Sequence, residues 1–523
     1  MNLRWTALLL LIPFLTASAQ NQDVDPKVRF ARLAKDFKEV QKSPDWKKIK
    51  QRRDIIVELG DLDHENSQKI LFQAFAEDRE QVCRIPAMIG LGKRATYPVL
   101  KAMVTRAVRD RNDVYLMTLP LALSHSKDSK IGPWILSHFW VKKGKPIQRA
   151  AVIASLGHLK CAEAYGPIEK TLTEETRDVR VLYECLFALA RIGGLQAFDT
   201  IVPFLESPER FLREGAILAL AETGSPAATE KVLPLWRDPF ARAQEAVAEA
   251  VRRSKDEEGL GTLVQLLRTG RLRVMDTARC ALEEITGEKH GLDADAWEKW
   301  LKDKAAGKVV PKDPASGPGS VATYYGMRVL SDRLLFVLDF SGSMDAGKPP
   351  RIETAREEIT KTLDQLNRKT LFNVVGFSGA VMWWKDEEVP ATAENIAEAK
   401  EYIEKLSVGG GTNVSDTFDE TFEKMTHIDT IYFLGDGSPS VGRHTEQEEI
   451  LARLRWHNRC RKIRIHCIAL TRGEVARFGG RKGPGLGRGR SVSGPRYYDE
   501  EEAARFMSRI AAEHGGEFLH IEK

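Results

Sequence analysis

Five apolar residues in unbroken succession, Leu334 to Leu338, run into Asp339-Phe-Ser341-Gly-Ser343. An unbroken apolar run reads as a strand covered on both faces, as in a parallel sheet flanked by helices. The strand's carboxyl end then carries three oxygen-bearing side chains on alternate residues of one loop. Gly342 is expected to let that loop turn tightly. Hard divalent cations such as Mg2+ take oxygen ligands near octahedral geometry. One carboxylate and two hydroxyls meet part of that demand, at the edge where open α/β sheets place their ligands.

Two further segments extend the pattern. Gly409-Gly-Gly-Thr412-Asn413 is a glycine-rich loop carrying a hydroxyl. Ile431-Tyr-Phe-Leu434 reads as a second buried strand and closes in Gly435-Asp436-Gly437-Ser-Pro. Together these segments resemble the von Willebrand factor A-type (VWA) domain and its metal-ion-dependent adhesion site. There Asp-x-Ser-x-Ser, Thr and Asp stand on three loops at one sheet edge.

The resemblance assigns the metal to Asp339, Ser341, Ser343, Thr412 and Asp436. It implies that Ser341, Ser343 and Thr412 coordinate Mg2+ or Mn2+ directly when a ligand is engaged, with Asp339 and Asp436 acting mostly through waters. Neutral hydroxyls leave the cation under-neutralised, so an Asp or Glu of a protein partner completes the octahedron. Two close carboxylates repel unless a cation lies between them. The sequence departs from the family at Gly435, where Ser or Thr is frequent.

The flanking sequence alternates strand and helix, as a doubly wound, Rossmann-like sheet requires. Strands are expected near 334–338, 371–377, 380–384, 430–434, 463–469 and 516–521. Helices are expected near 352–366, 392–406, 415–426, 444–457 and 500–513, with Pro349-Pro350 marking the start of the first. The domain is placed at 321–523.

Residues 51–301 carry a different signal. An apolar helix ending in Leu/Ile-Gly, or a close variant, recurs at Gly60, Gly92, Gly157, Gly193, Gly224 and Gly287. The spacing, about 31 to 36 residues or twice that, marks stacked helix pairs. The glycines are expected to stop each helix in the left-handed conformation. Arg177-Asp-Val-Arg180 and Glu209-Arg-Phe-Leu-Arg213 resemble the turns of HEAT-type repeats. The expected fold is therefore an α/α solenoid of HEAT-like repeats followed by the α/β VWA domain. The ensemble resembles exported bacterial proteins that join helical repeats to a C-terminal VWA domain.

Trp297 and Trp300 share one face of a short helix that Asp293 or Asp295 can cap. They suit the terminal cap a solenoid needs, with a sugar-binding platform as the alternative. Residues 20–50 read as a helical cap or disordered segment, and 302–320 as a linker rich in Lys, Ala, Gly and Pro.

At the N-terminus, Arg4, the apolar run Trp5–Leu15 and Ala17-Ser18-Ala19 form a signal-peptide pattern over residues 1–19, cut before Gln20. The run is too short to span a bilayer, and no transmembrane segment is expected later. The expected location is periplasmic or extracellular. Export permits disulfides. The six cysteines show no Cys-x-x-Cys. Cys161, Cys185 and Cys280 read as small buried residues. Cys460 and Cys467 are a candidate pair.

A net charge of +5 over 523 residues is slight. No aromatic-basic interleaving accompanies it, so nucleic acid is not an expected partner. The loop 471–498 concentrates seven basic residues against Glu474 and is punctuated by glycine. It reads either as a solvated insertion or as a contact for an acidic surface.

Two enzyme readings fit poorly. A phosphatase of the haloacid dehalogenase type needs a second acid where Ser341 stands. A hydrolase using Ser341 or Ser343 needs an activating base, and His427, His444 and His466 lie in other segments. The expectation is a non-enzymatic, exported interaction protein, with a metal-dependent hydrolase or a structural scaffold as alternatives.

Overall fold

The structure, a computed structural model, describes residues 25–110, 112–140, 144–223, 225–269, 271–306, 322–471 and 500–522. The candidate signal peptide, Gly224, most of the 302–320 linker and the basic residues of the 471–498 loop lie outside the described residues. Two compact units are present, one helical from Asp25 and one α/β from Ala322.

The helical unit runs α1 (Pro26–Val40), α2 (Trp46–Asp61), α3 (Ser67–Glu77), α4 (Gln81–Arg94), α5 (Tyr97–Arg109), α6 (Asp113–Leu123), α7 (Ile131–Phe139) and α8 (Pro146–His158). It continues with α9 (Tyr165–Lys170), α10 (Val179–Gly193), α11 (Phe198–Ile201), α12 (Arg210–Glu222), α13 (Pro226–Val232) and α14 (Ala241–Ser254). It ends with α15 (Leu260–Leu267), α16 (Leu272–Thr286) and α17 (Ala294–Ala305). The even-numbered helices α2 to α16 stack on one another in succession.

The recurrent glycines explain that stacking, but not as helix stops. Gly60, Gly92 and Gly157 lie inside α2, α4 and α8. A β-carbon on Gly60 would stand 3.0 Å from the Gly90 Cα, and one on Gly157 2.7 Å from the Ala188 Cα. On Gly92 it would overlap the Ala122 carbonyl oxygen. These positions let adjacent backbones touch. Interior glycine costs a helix about 0.5–1 kcal/mol relative to Ala; close packing of the next helix offsets it. Gly287 alone among the described members caps its helix in the left-handed region (φ 77°), while Gly193 stays right-handed.

A second periodic device ties neighbouring repeats. Arg52 pairs with Asp78 (2.7 Å), Arg84 with Asp110 (3.9 Å) and Arg213 with Asp238 (2.7 Å). Asp78 also accepts the Glu80 amide and Asp238 the Phe240 amide, so each acid orders the turn into the next stacked helix. The two turn motifs behave as expected: Asp178 caps α10 and Glu209 caps α12.

Several boundaries move. The 50/51 division falls inside α2, and residues 26–40 are helical. Helix α17 continues past residue 301 to Ala305, capped by Asp293. Trp297 is fully buried and its indole donates to the Gly291 carbonyl at 3.0 Å. That geometry fits the cap and removes the sugar platform. None of the six cysteines is in a disulfide, so the candidate Cys460–Cys467 bridge is not formed. Cys280 is exposed, against expectation. Residues Val179–Glu206 are apolar and long enough in composition to cross a bilayer. Helix α10 within that stretch buries Val181–Ala190 in succession, as the core helix of a solenoid does.

The α/β unit opens with a two-stranded sheet, β1 (Thr323–Tyr324) and β2 (Met327–Arg328). Its main sheet comprises β3 (Arg333–Asp339), β4 (Leu371–Phe377), β5 (Val381–Trp383), β6 (Val389–Pro390), β7 (Thr430–Gly435), β8 (Arg464–Thr471) and β9 (Phe518–Glu522). The order is β5-β4-β3-β7-β8-β9, with β6 also on β4. Strands β3, β4, β7, β8 and β9 pair in parallel, whereas β5 and β6 pair antiparallel to β4. The helices are α18 (Arg351–Gln365), α19 (Ala393–Lys405), α20 (Val414–Lys424), α21 (Gln447–Asn458) and α22 (Glu500–Glu513).

Both faces of β3 are covered, which is why its apolar run is unbroken. Leu334, Phe336 and Leu338 pack in one core with Ile352 and Ile359 of α18. Leu335 and Val337 pack in the other with Phe418 of α20 and Ile510 of α22. With β3 central, its carboxyl end opens between the ends of β4 and β7.

Candidate metal centre

Strand β3 delivers Asp339 to the sheet edge, and the parallel register sets the end of β7, Gly435-Asp436, beside it. Gly435 fits because it has no side chain: a β-carbon there would stand 2.8 Å from both Cβ and Oδ2 of Asp339. The departure from the family's Ser or Thr is thus tied to how closely Asp339 lies against β7.

Backbone hydrogen bonds knit three loops. The Gly342 amide donates to the Gly410 carbonyl (3.1 Å), and the Gly409 amide to the Phe340 carbonyl (2.9 Å). The Thr412 amide donates to Ser440 Oγ (2.8 Å), and the Ser440 amide returns to the Thr412 carbonyl (3.0 Å). Glycine is required at Gly410 (φ 77°) and Gly437 (φ 71°). Gly342 is not among the positive-φ residues, so its expected tight turn is made with ordinary backbone, in a short helical turn over Gly342–Asp345.

All five expected positions therefore lie on loops brought together at one sheet edge. Asp339, Ser341, Thr412 and Asp436 are buried, and Ser343 is exposed. Ser341 Oγ and Ser343 Oγ are 3.0 Å apart. The Ser341 amide donates to Asp339 Oδ1 at 2.8 Å, and the Ser438 amide to Asp436 Oδ1 at 3.2 Å. Asp339 Oδ2 is buried without a hydrogen-bond partner among the described residues. Burial, reinforced by the Asp436 charge, pushes the Asp339 carboxyl well above the usual carboxylate range.

This donor set fits a hard divalent cation. It is all oxygen, three hydroxyls and two carboxylates, and it contains a buried carboxylate oxygen that no described residue pairs with at hydrogen-bond geometry. Burying such an atom is costly unless something pairs with it. Ser341, Ser343 and Thr412 would hold the ion, with Asp339 and Asp436 behind them; the ion would supply positive charge on the Ser343 side, which faces solvent. His444 pairs with Glu449 (2.8 Å), and the ring of His466 accepts the Glu517 amide (3.1 Å).

Two residues near the site carried no readable signal. Ser440, which clamps Thr412 from both sides, sits in an unremarkable loop. Arg351, at the start of α18, places a guanidinium nitrogen 4.0 Å from Asp436 Oδ2.

Family models match segments in both parts of the chain. Residues 332–475 match the von Willebrand factor type A domain, and residues 171–252 and 199–283 match HEAT repeats. The chain is similar to bovine inter-alpha-trypsin inhibitor heavy chain H4, at 35% identity over 127 residues, 22% of this chain and 14% of that protein. It is similar to bovine inter-alpha-trypsin inhibitor heavy chain H3, at 37% over 130 residues, again 22% and 14%. The match thus spans about a seventh of the length of these curated relatives. A solved von Willebrand factor type A protein from Catenulispora acidiphila aligns with a TM-score of 0.28 and 18% identity, covering 38% of this chain and 40% of that one. Residues 332–475 are a von Willebrand factor type A domain, and the helical unit before it carries HEAT repeats within residues 171–283.

Proposed function

We propose that this protein is an exported, non-enzymatic interaction protein whose VWA domain binds Mg2+ or Mn2+ and captures a carboxylate-bearing protein partner. The observation that carries the reading is Asp339 Oδ2, buried and without a hydrogen-bond partner among the described residues, beside Asp436 and behind the hydroxyls of Ser341, Ser343 and Thr412. A cation there offsets the two carboxylates. Its hydroxyl ligands leave it with charge to spare, and the exposed Ser343 marks the side from which an Asp or Glu approaches. Catalysis is disfavoured because Ser341 and Ser343 hydrogen-bond to each other rather than to a histidine. The likeness to inter-alpha-trypsin inhibitor heavy chains supports an interaction role for the VWA part. Export follows from the pattern over residues 1–19, with the mature chain beginning at Gln20.

The test separates metal from partner. Immobilised protein is exposed to envelope extract of its source cells in Mg2+ and in chelator, alongside Thr412→Ala. Capture should require Mg2+. Thr412→Ala should lose capture while keeping most of its metal affinity, because that hydroxyl engages fully only with a ligand in place. Equal capture in chelator contradicts the proposal.

A further inference from the structure

Arg351 is the first residue of α18, and its side chain is only 5% exposed. Its Nη2 donates to Glu500 Oε1 at 2.6 Å, while Nη1 stands 4.0 Å from Asp436 Oδ2. Its Nε has no hydrogen-bond partner among the described residues. A guanidinium does not surrender its proton in a protein. A full positive charge is therefore fixed within ion-pair range of one of the two carboxylates at the site. The backbone holds it there: the Arg351 amide donates to the Ala346 carbonyl at 3.0 Å, so α18 starts directly off the loop that carries Ser341 and Ser343.

Such a charge acts in opposite directions on the two states of the site. Without a cation, it offsets the repulsion between Asp339 and Asp436. With a cation, it repels the ion and competes for Asp436. Glu500, on the first turn of α22, draws part of the guanidinium's charge away. We propose that Arg351 is a built-in counter-ion that sets the cation affinity of the VWA site: it stabilises the metal-free loops, weakens metal binding, and is itself balanced by Glu500. The inference rests on the reading of Asp339, Ser341, Ser343, Thr412 and Asp436 as the metal site. Arg351 is a positioning residue, not a ligand.

The roles separate in Mn2+ calorimetry on the full chain, freed of metal with chelator, for wild type, Arg351→Gln, Arg351→Lys and Glu500→Gln. Thermal unfolding in chelator is measured in parallel. Removing a unit charge this close should tighten Mn2+ binding by Arg351→Gln by about three- to tenfold. The same variant should unfold at lower temperature in chelator, so that its gain in Tm with Mn2+ is larger than that of wild type. Arg351→Lys keeps the charge and should stay within about twofold of wild type, which a role in packing alone does not predict. Glu500→Gln leaves the guanidinium to act fully on Asp436 and should weaken binding by about two- to threefold. Unchanged or weaker affinity in Arg351→Gln overturns the role of Arg351 while leaving the metal site standing. If that variant does not fold, unchanged or tighter binding by Glu500→Gln overturns it. Absence of Mn2+ binding in wild type overturns both readings at once.

Discussion

In the helical half, glycines bring stacked helices together by removing side chains; in the VWA half, hydrogen bonds between backbones join the loops of the site. Gly60, Gly92 and Gly157 let one helix rest on the next. Gly342 to Gly410, Gly409 to Phe340 and Ser440 to Thr412 instead join loops that lie far apart in sequence. The first device is repeated from one stacked helix to the next and singles out no position for a ligand. The second occurs once and gathers five oxygen-bearing residues at one sheet edge. Stability can be spread over repeats, whereas a site needs convergence.

The strongest way to break this contrast is Gly92→Val. Its side chain has no room against the Ala122 carbonyl. Overpacking usually costs about 1–3 kcal/mol, occasionally more, and backbone gives way less readily than side chains, so a loss at the upper end is expected. Hydrogen exchange should show lost protection in α4 and α6, with protection of β3 and β7 unchanged. Loss of protection in β3 and β7 to the same degree would show that the two halves are not energetically distinct.

Gly435→Ala tests the VWA half in the same terms. Its methyl would press on Asp339 Cβ and Oδ2. A loss of about 1–3 kcal/mol is expected by denaturant unfolding, with weakened metal binding because Asp339 is displaced. A neutral effect on both would mean that the family's Ser or Thr fits here as well.

Acid sharpens the comparison further. Burial pushes His514 down to about 4, and the Asn458 side-chain amide lies 3.0 Å from its ring nitrogen. Burial would raise Glu513, but Arg455 and Arg509 outweigh it and hold it at about 2. Both folded-state values lie below the unfolded ones, so both groups contribute stability at neutral pH that is lost as pH falls. His514 acts between about 6.5 and 4, Glu513 between about 4.5 and 2. The helical half holds its own half-buried His158, also pushed down to about 4 by partial burial and then by the Arg191 charge. Both halves should therefore soften in acid. His514→Asn should flatten the loss between pH 6.5 and 4 in β8 and α22 only, as read by hydrogen exchange. An unchanged profile there would remove His514 from the account.

The smallest effect is a stabilisation. A β-carbon on Gly261, in α15, would meet nothing within 4 Å. Gly261→Ala should therefore raise the stability of the helical half by about 0.4–1 kcal/mol, opposite in sign to Gly92→Val. A destabilisation would show that glycine in these helices has a role besides close packing.

What the sequence made legible follows the same division. Leu334–Leu338 announced a strand covered on both faces, and Asp339, Ser341, Ser343, Thr412 and Asp436 each stood where a strand or loop end would place it. The glycine period revealed stacked helices but not its cause, because helix termination and close packing leave the same residue in the sequence. Arg52–Asp78 and Arg213–Asp238 went unread, since each pair spans 25 or 26 residues and neither member is unusual alone. Ser440 and Arg351 were invisible for a related reason: their importance lies in what tertiary structure sets beside them. Gly435 looked like a deficiency, and only the position of Asp339 gives it a purpose.

The most direct measurement is Mg2+ and Mn2+ calorimetry on the full chain, wild type against the Asp339→Ala/Asp436→Ala double variant. The two carboxylates orient the coordination sphere from behind the hydroxyls, and losing one such group typically costs about 10–100-fold in affinity. Wild type should bind one ion and gain thermal stability in millimolar Mg2+, because only the folded state assembles the three loops. The double variant should show neither effect. No binding by wild type, or equal binding by both proteins, would contradict the assignment of Asp339, Ser341, Ser343, Thr412 and Asp436 as a metal centre.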